Sequence, residues 1–242
     1  MFTMMGCMAV VNPQISRRER ARAATKAEIL DAARVLLVDG GVEKVTQRGI
    51  AGALGMTAPA LYRYFASREE ILTDLSQAMY QELASELGTV ADSPSTARER
   101  FRQTARAFRR WALDHTAEFG LLFGTPIPGV EHSGPECFTG GDMQFCQMWL
   151  AIYHDFIREE PSIVRPDDTV DPALREQITA FCELSQLSAG AAAHFLSGWS
   201  QLYGAIAIEV FGHLGFAVTN AELLFETLLD VLGQPLPNTT AS

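Results

Sequence analysis

Cysteine is scarce in this chain and never clustered. Cys7, Cys137, Cys146 and Cys182 are the four present in 242 residues, with no CxxC and no histidine beside them at metal-ligand spacing. That spacing speaks against a disulfide framework or a zinc site, and the four read as reduced thiols of a cytoplasmic protein. No apolar run reaches the length that spans a bilayer, so no membrane partner is expected. The opening MFTMMGCMAVV lacks the positive region of a secretory leader and is too short for one. Enzymatic signatures are missing as well. Gly198-Trp199-Ser200 continues with Gln201-Leu202 rather than completing G-x-S-x-G, and there is neither HExxH nor a glycine-rich phosphate loop. His115, His132, His154, His194 and His213 are scattered. No catalytic residue, cofactor or metal is expected.

Positive charge is also in deficit, 19 Lys and Arg against 29 Asp and Glu, but the deficit is uneven. Residues 1–70 hold ten basic and seven acidic side chains, whereas residues 71–242 hold nine and twenty-two. The net −10 therefore divides into a mildly positive first part and an acidic remainder. A positive reader on an acidic body binds duplex with strong salt dependence and is repelled in other orientations.

What the first part does contain is a run of helix punctuation, TQRGIAGALGMTAPALYRYFASREE, from Thr46 to Glu70. Thr46 is an N-cap for a helix carrying Ile50, Ala53 and Leu54 on one face, and Gly55 supplies a left-handed stop. Thr57 caps a second helix with Pro59 in its first turn, expected to run through Phe65. Ser67 and Glu70 form a capping box that opens a third. Helix, tight turn, helix is the helix-turn-helix pattern. At 100° per residue, Leu61 and Phe65 share the buried side of the second helix. Pro59, Ala60 and Arg63 lie opposite, with Tyr62 and Tyr64 flanking. A guanidinium, phenols and a small apolar edge suit a major groove. An ordinary helical hairpin with the tyrosines packed inward is the alternative.

The run GMTAPALYRYFASREEIL resembles the helix-turn-helix signature of the tetracycline-repressor-like (TetR) family, and the likeness extends back through ILDAARVLLVDGGVEKVTQRGIAGALG, covering roughly residues 25–75. The resemblance implies DNA contacts at Thr46, Gln47 and Arg48, at Thr57, Ala58, Pro59, Ala60, Tyr62, Arg63 and Tyr64, and at Arg68. Ala60 stands where many relatives carry Thr or Ser. Arg68 replaces the usual Lys and keeps its charge for a phosphate.

The remaining chain reads as helices and loops. Residues 1–24, with Arg17, Arg18, Arg20 and Arg22, are expected to be a flexible basic arm. Thr25 and Glu28 then cap a helix with the stripe Ile29, Ala32, Ala33, Leu36, Leu37, ending at Gly40-Gly41. Ile71, Leu75, Met79, Leu83 and Leu87 continue the third signature helix to about Gly88. Ser95 caps a helix buried along Phe101, Ala105, Phe108 and Ala112, whose basic side of Arg98, Arg102, Arg106, Arg109 and Arg110 is expected to be solvated or to pair with Glu82 and Glu86. Gly124 to Gly141 is a long loop. Helices follow from Asp142 to about Glu160, from Asp171 to about Leu187, from Ser188 to about Leu214 and from Asn220 on, with residues 236–242 a flexible tail. Small residues on the helix after Ser188, and Leu223, Leu224, Leu228 and Leu229 on the last, fit a four-helix homodimer interface.

This half also resembles the ligand-binding domain named for a Trp-His-Gly motif, on Trp199 and Tyr203-Gly204, with Tyr203 in the histidine's place. Aromatic density marks a candidate pocket at Trp111, Phe119, Phe123, Phe145, Trp149, Tyr153, His194, Phe195, Trp199 and Tyr203. A plain core is the alternative. The expected protein is all-α, a DNA-binding domain (residues 25–70) joined to a helical ligand-binding and dimerisation domain (residues 71–235). Its expected partners are a double-stranded, pseudo-palindromic operator and a small apolar or aromatic effector that releases it. A ligand-independent interaction protein, or a helical enzyme using the aromatic cavity, are the competing classes.

Overall fold

The computed structural model describes residues 16–130 and 141–234. Their regular structure is helical throughout, and those up to Ile71 form one compact unit while those from Leu72 form a second. No helix among them is long and apolar enough to cross a membrane.

In the first unit, α1 (Arg17–Gly40) begins where an arm was expected. The basic stretch 17–24 is a helix because Ser16 and Glu19 make a reciprocal capping box. The Ser16 hydroxyl accepts from the Glu19 amide at 3.1 Å, and the Glu19 carboxylate accepts from the Ser16 amide at 2.8 Å. Three alanines and straight-chain arginines then favour the helix. Thr25 is no cap: it lies mid-helix and donates its hydroxyl to the Ala21 carbonyl. Ile29, Ala33 and Leu37 are buried, and Gly41, at φ 74°, ends the helix in a conformation that favours glycine. Residues 1–15 of the expected arm lie outside the described residues.

The helix-turn-helix follows. Thr46 accepts from the Gly49 amide at 3.0 Å to open α2 (Gln47–Ala53), and Gly55 at φ 64° makes the turn. The next helix, α3 (Ala58–Tyr62), is shorter than expected. Arg63 is its C-cap, and the chain leaves the helix before Phe65. Leu61 and Phe65 are nevertheless both fully buried, as the spacing predicts. Ser67 accepts from the Glu70 amide at 3.0 Å, while the Glu70 carboxylate reaches the Ala66 amide rather than that of Ser67. This cap opens α4 (Arg68–Ala91), whose stripe Ile71, Leu75, Met79, Leu83 and Leu87 is buried along its length.

The second unit holds the rest of α4, then α5 (Ala97–Asp114), α6 (Thr116–Phe123), α7 (Gly141–Glu159), α8 (Pro172–Gln177), α9 (Thr179–Ser185), α10 (Ala189–Val210) and α11 (Glu222–Leu232). Thr96, not Ser95, caps α5. The single helix expected from Asp171 to Leu187 breaks at Ile178 into α8 and α9, and α10 stops short of Leu214 because Gly212 turns the chain at φ 73°. The α5 arginines find acids beyond α4. Arg98 forks onto Glu160, Arg102 and Arg106 reach Glu226, and Arg109 makes two bonds of 2.7 and 2.6 Å to Glu209. These bidentate pairs tie α5 to the end of α7 and to α10 and α11. Partners 62 to 124 residues away cannot be read from i,i+4 spacing.

The start of α10 is tightly built. The Asp167 carboxylate accepts from the Gly190 amide at 2.8 Å, and a Cβ on Gly190 would overlap the Arg165 carbonyl oxygen. Gly190→Ala is therefore expected to destabilise the fold by about 1–3 kcal/mol, the usual range for overpacking against atoms that cannot yield. A urea unfolding curve unchanged in midpoint would contradict this placement.

Candidate functional site

The surface of the first unit is built on the two buried anchors Leu61 and Phe65. With these inside, Thr57, Ala58, Pro59, Tyr62 and Arg63 are exposed, Tyr62 by 53 %, and Ala60 is half-covered. From α2, Thr46 and Arg48 are exposed and Gln47 is half-buried. Thr46, Gln47, Arg48, Ala58, Tyr62 and Arg68 share the rim of one shallow recess with Ala51, Gly52 and Met56. The last three were not singled out in sequence, since nothing in their residue type marks them. The Gln47 side-chain amide nitrogen is buried there without a hydrogen-bond partner among the described residues.

Two of the expected contact residues are placed differently. Tyr64 is half-buried, with the Arg22 guanidinium 5.3 Å from its ring centre, so only one of the two phenols is bare. Arg68 does not extend freely toward a phosphate. Its Nε donates to the Val45 carbonyl and its terminal nitrogen to the Val42 carbonyl, both at 2.6 Å. The guanidinium thus pins the start of α4 to the short 3-10 turn Val42–Lys44 that precedes α2. Hydrogen bonds from a charged donor contribute about 1.5–3 kcal/mol each, so Arg68→Ala is expected to lower the unfolding free energy by about 2 kcal/mol. Thermal unfolding checks this, and an unchanged midpoint would return Arg68 to a purely surface role.

The aromatic residues of the second unit divide into core and cavity. Trp111 and Phe119 are core: both are buried, Phe108 lies against each of them, and neither lines the two cavities described next. Phe123, Phe145, Trp149, Phe195 and Trp199 border a cavity of about 340 Å3, together with Tyr80, Asp142, Cys146, Phe181 and Leu196. Tyr153 and His194 instead line a neighbouring void of about 40 Å3 that shares Trp149, Phe195 and Trp199 with the first. Room there is for a water or two. Tyr203, in the place of the motif histidine, lines neither; its hydroxyl donates to the Phe123 carbonyl at 2.6 Å and holds the end of α6.

Sequence reading missed Tyr80 and Asp142. Tyr80 sits beside the buried α4 stripe, and Asp142 reads as helix-start chemistry. Burial first, and then the Asp142 carboxylate, push both the Tyr80 phenol and the Cys146 thiol up, so both stay protonated. The indole N–H of Trp149 is buried with no hydrogen-bond partner among the described residues, an unusual state for a donor. No group of His, Cys, Asp and Glu among the described residues could hold a metal ion.

His194 bridges elements. Its Nε2 donates to the Gln234 carbonyl at 3.2 Å, and its Nδ1 lies 3.0 Å from the Tyr153 hydroxyl, which itself donates to the Ala191 carbonyl at 3.0 Å. Burial pushes the imidazole pKa down from 6.5, more than the Gln234 carbonyl raises it. The unfolded chain therefore binds the proton more readily. Stability from this group is complete above about pH 6.5 and is lost as pH falls below it. His194→Gln is expected to flatten the acid side of a stability profile between pH 7 and 5, and an equal slope in both proteins would exclude the effect.

Comparison with known proteins bears on both units. Residues 29–75 match the family model for "Bacterial regulatory proteins, tetR family", and residues 101–232 match "Tetracyclin repressor-like, C-terminal domain". These matches carry the family and not the Trp-His-Gly subtype. The HTH-type transcriptional regulator Rv1816 of Mycobacterium tuberculosis is 38% identical over 132 residues, 52% of this chain and 55% of that protein. The chain thus spans about half the length of that relative. The HTH-type transcriptional repressor KstR2 of the same organism is 29% identical over 150 residues, 62% of this chain and 74% of its own. Among solved structures, the putative regulatory protein SCO4313 superposes with a TM-score of 0.68 at 29% identity, covering 90% of this chain and 98% of that one. A TetR/AcrR regulator from Thermobifida fusca shares the fold, with a TM-score of 0.54 at 16% identity over 90% of this chain and 100% of its own. With its C-terminal match alone taking in more than half of its length and its helix-turn-helix matched as well, this chain belongs to the tetR family of bacterial regulatory proteins.

Proposed function

We propose that the protein is a homodimeric transcriptional regulator that binds a pseudo-palindromic operator and leaves it when a small molecule enters the aromatic cavity. The observation that carries the reading is the bare side of α3. Tyr62 and Arg63 stand in solvent while Leu61 and Phe65 of the same segment are fully buried. Exposing a large phenol beside a guanidinium on a short, anchored helix suits a base edge and a phosphate. Thr46, Gln47, Arg48, Thr57, Ala58, Pro59 and Ala60 complete the contact surface in this reading, with Tyr64 and Arg68 acting mainly through the shape of the domain.

Dimerisation is assigned to α10 and α11. Their outer surface carries Ile208, Leu223, Leu224 and Val231, all exposed in the single chain, beside the small residues Gly204 and Ala205. Two heads joined there must stand roughly 34–36 Å apart, or a multiple of that, to enter successive major grooves. The effector acts by preferring the dimer whose heads are misspaced, and only by its difference in affinity for the two states. The cavity size and the unsatisfied Trp149 donor support a ligand there. Membership in a family of bacterial regulatory proteins supports a regulatory rather than a catalytic role.

Sequencing the genomic fragments that the purified protein retains, followed by gel shift on the enriched fragment, tests the reading. A shared inverted repeat, bound with steep salt dependence, is the expected result. Retention of no fragment above background would end it.

A further inference from the structure

The buried side of α1 changes chemistry before the helix ends. Ile29, Ala33 and Leu37 are buried on it, and at the same three- and four-residue spacing Lys26, Arg22 and Arg18 continue that side toward the N-terminus. Lys26 places its ammonium 4.4 Å from the centre of the Phe65 ring, and one turn earlier the Arg22 guanidinium lies 5.3 Å from that of Tyr64. Tyr64 and Phe65 stand immediately after Arg63, the C-cap of α3. This side of α1 therefore borders the end of the helix that carries Tyr62 and Arg63. Arg18 lies on it one further turn along, about 6 Å past Arg22 at about 1.5 Å per residue. Residues 16–24 are exposed throughout, so these turns add little to the core of the unit. Arg17, Arg18 and Arg20 make no ion pair among the described residues, and Glu19, the one acid between Ser16 and Ala27, gives its carboxylate to the Ser16 amide.

A fixed row of guanidiniums that contributes little packing suits a fixed row of negative charge. Duplex DNA presents phosphates along each strand, and side chains that reach them position a reader without reading sequence. Arg22 and Arg18 adjoin the surface proposed to enter the major groove, so the phosphates flanking that groove are the charges within reach. We infer that the first two turns of α1 are a phosphate-binding ridge, with Arg18 and Arg22 on the backbone of the duplex beside the base pairs that α3 meets. A preformed helix holds both side chains for contact with less ordering than a flexible arm needs. Arg17 and Arg20 lie on the far side of the helix and add only to the general field. The inference deepens the operator-binding reading and rests on it.

Fluorescence anisotropy of the retained operator fragment, titrated with the full-length protein across a salt series, tests the ridge. Each phosphate contact contributes about 0.9 to the slope of log affinity against log salt. Arg18→Ala, lost from both heads of a dimer, is therefore expected to make the slope shallower by about 2 and to weaken binding about tenfold or more at the low-salt end. Arg18→Lys is expected to restore most of both, because a phosphate needs the charge and not the fork. Arg20→Ala, on the far side, should leave the slope nearly unchanged. Discrimination among operator point variants should match wild type in all three, and thermal unfolding of each confirms its fold. A slope unchanged by Arg18→Ala, an equal change from Arg20→Ala, or altered discrimination would overturn the inference. Arg18-dependent binding to phosphatidylserine vesicles with no change in the DNA slope would give the ridge to a lipid surface instead. Should the wild-type protein retain no fragment, the operator reading fails and the ridge with it, whereas a retained fragment with an unchanged slope removes the ridge alone.

Discussion

Arg63→Ala is expected to lower operator affinity about ten- to a hundredfold and to relax discrimination among operator variants. A guanidinium placed on a base edge contributes about 1–3 kcal/mol of discrimination. Arg63 is exposed at the C-cap of α3, and its removal leaves Leu61 and Phe65 buried. Unfolding should therefore be unchanged while binding falls. Arg68→Ala should give the opposite pattern, lower stability with binding lost only as the domain loosens, because its guanidinium holds the Val42 and Val45 carbonyls. Gel shift at two salt concentrations, paired with thermal unfolding of each variant, separates the two arginines. Equal operator affinity for wild type and Arg63→Ala would remove the α3 surface from the contact.

Leu224→Glu is expected to convert the dimer to monomers and to weaken binding to the full operator by a factor of about 100 or more. Leu224 is 50 % exposed in the single chain and Leu223 76 %, while Phe225 and Leu229 of the same helix are buried against the unit's own core. The outer leucines therefore contribute less to their own unit's core than Phe225 and Leu229 do. A charge there must be desolvated in a helix-on-helix interface, which opposes association without disturbing the fold. Losing the second head forfeits the effective concentration that makes two weak half-site contacts one strong one. Sedimentation equilibrium at micromolar protein reads the first effect and gel shift the second. A variant that stays dimeric would move the interface elsewhere.

The local grammar of the chain carried much of the DNA-facing unit. Thr46, Gly55 and Ser67 act within four residues of themselves, and the helices begin and turn near where they stand, while Thr57 precedes α3 without a side-chain cap bond. The same grammar, read too cautiously, took residues 17–24 for an arm. Apolar periodicity was absent there, but the Ser16–Glu19 box and strong helix formers suffice without it. The aromatic cavity was legible only as a density of rings. Which rings line space and which fill it depends on how α4, α5, α6, α7 and α10 pack, so Trp111 and Phe119 went to the core while Tyr80 and Asp142 entered the wall.

The sequence by itself determined the helical class, the helix-turn-helix with its buried Leu61 and Phe65, and the family, because caps and periodicities act over one turn of helix. Only the tertiary structure decided the rest: that Arg68 clamps backbone, that the α5 arginines reach acids at the end of α7 and on α10 and α11, and that Tyr80 and Asp142 join the aromatic residues lining the cavity. Those outcomes depend on groups brought together across 23 to 124 residues of chain, and spacing along a helix carries no information about them.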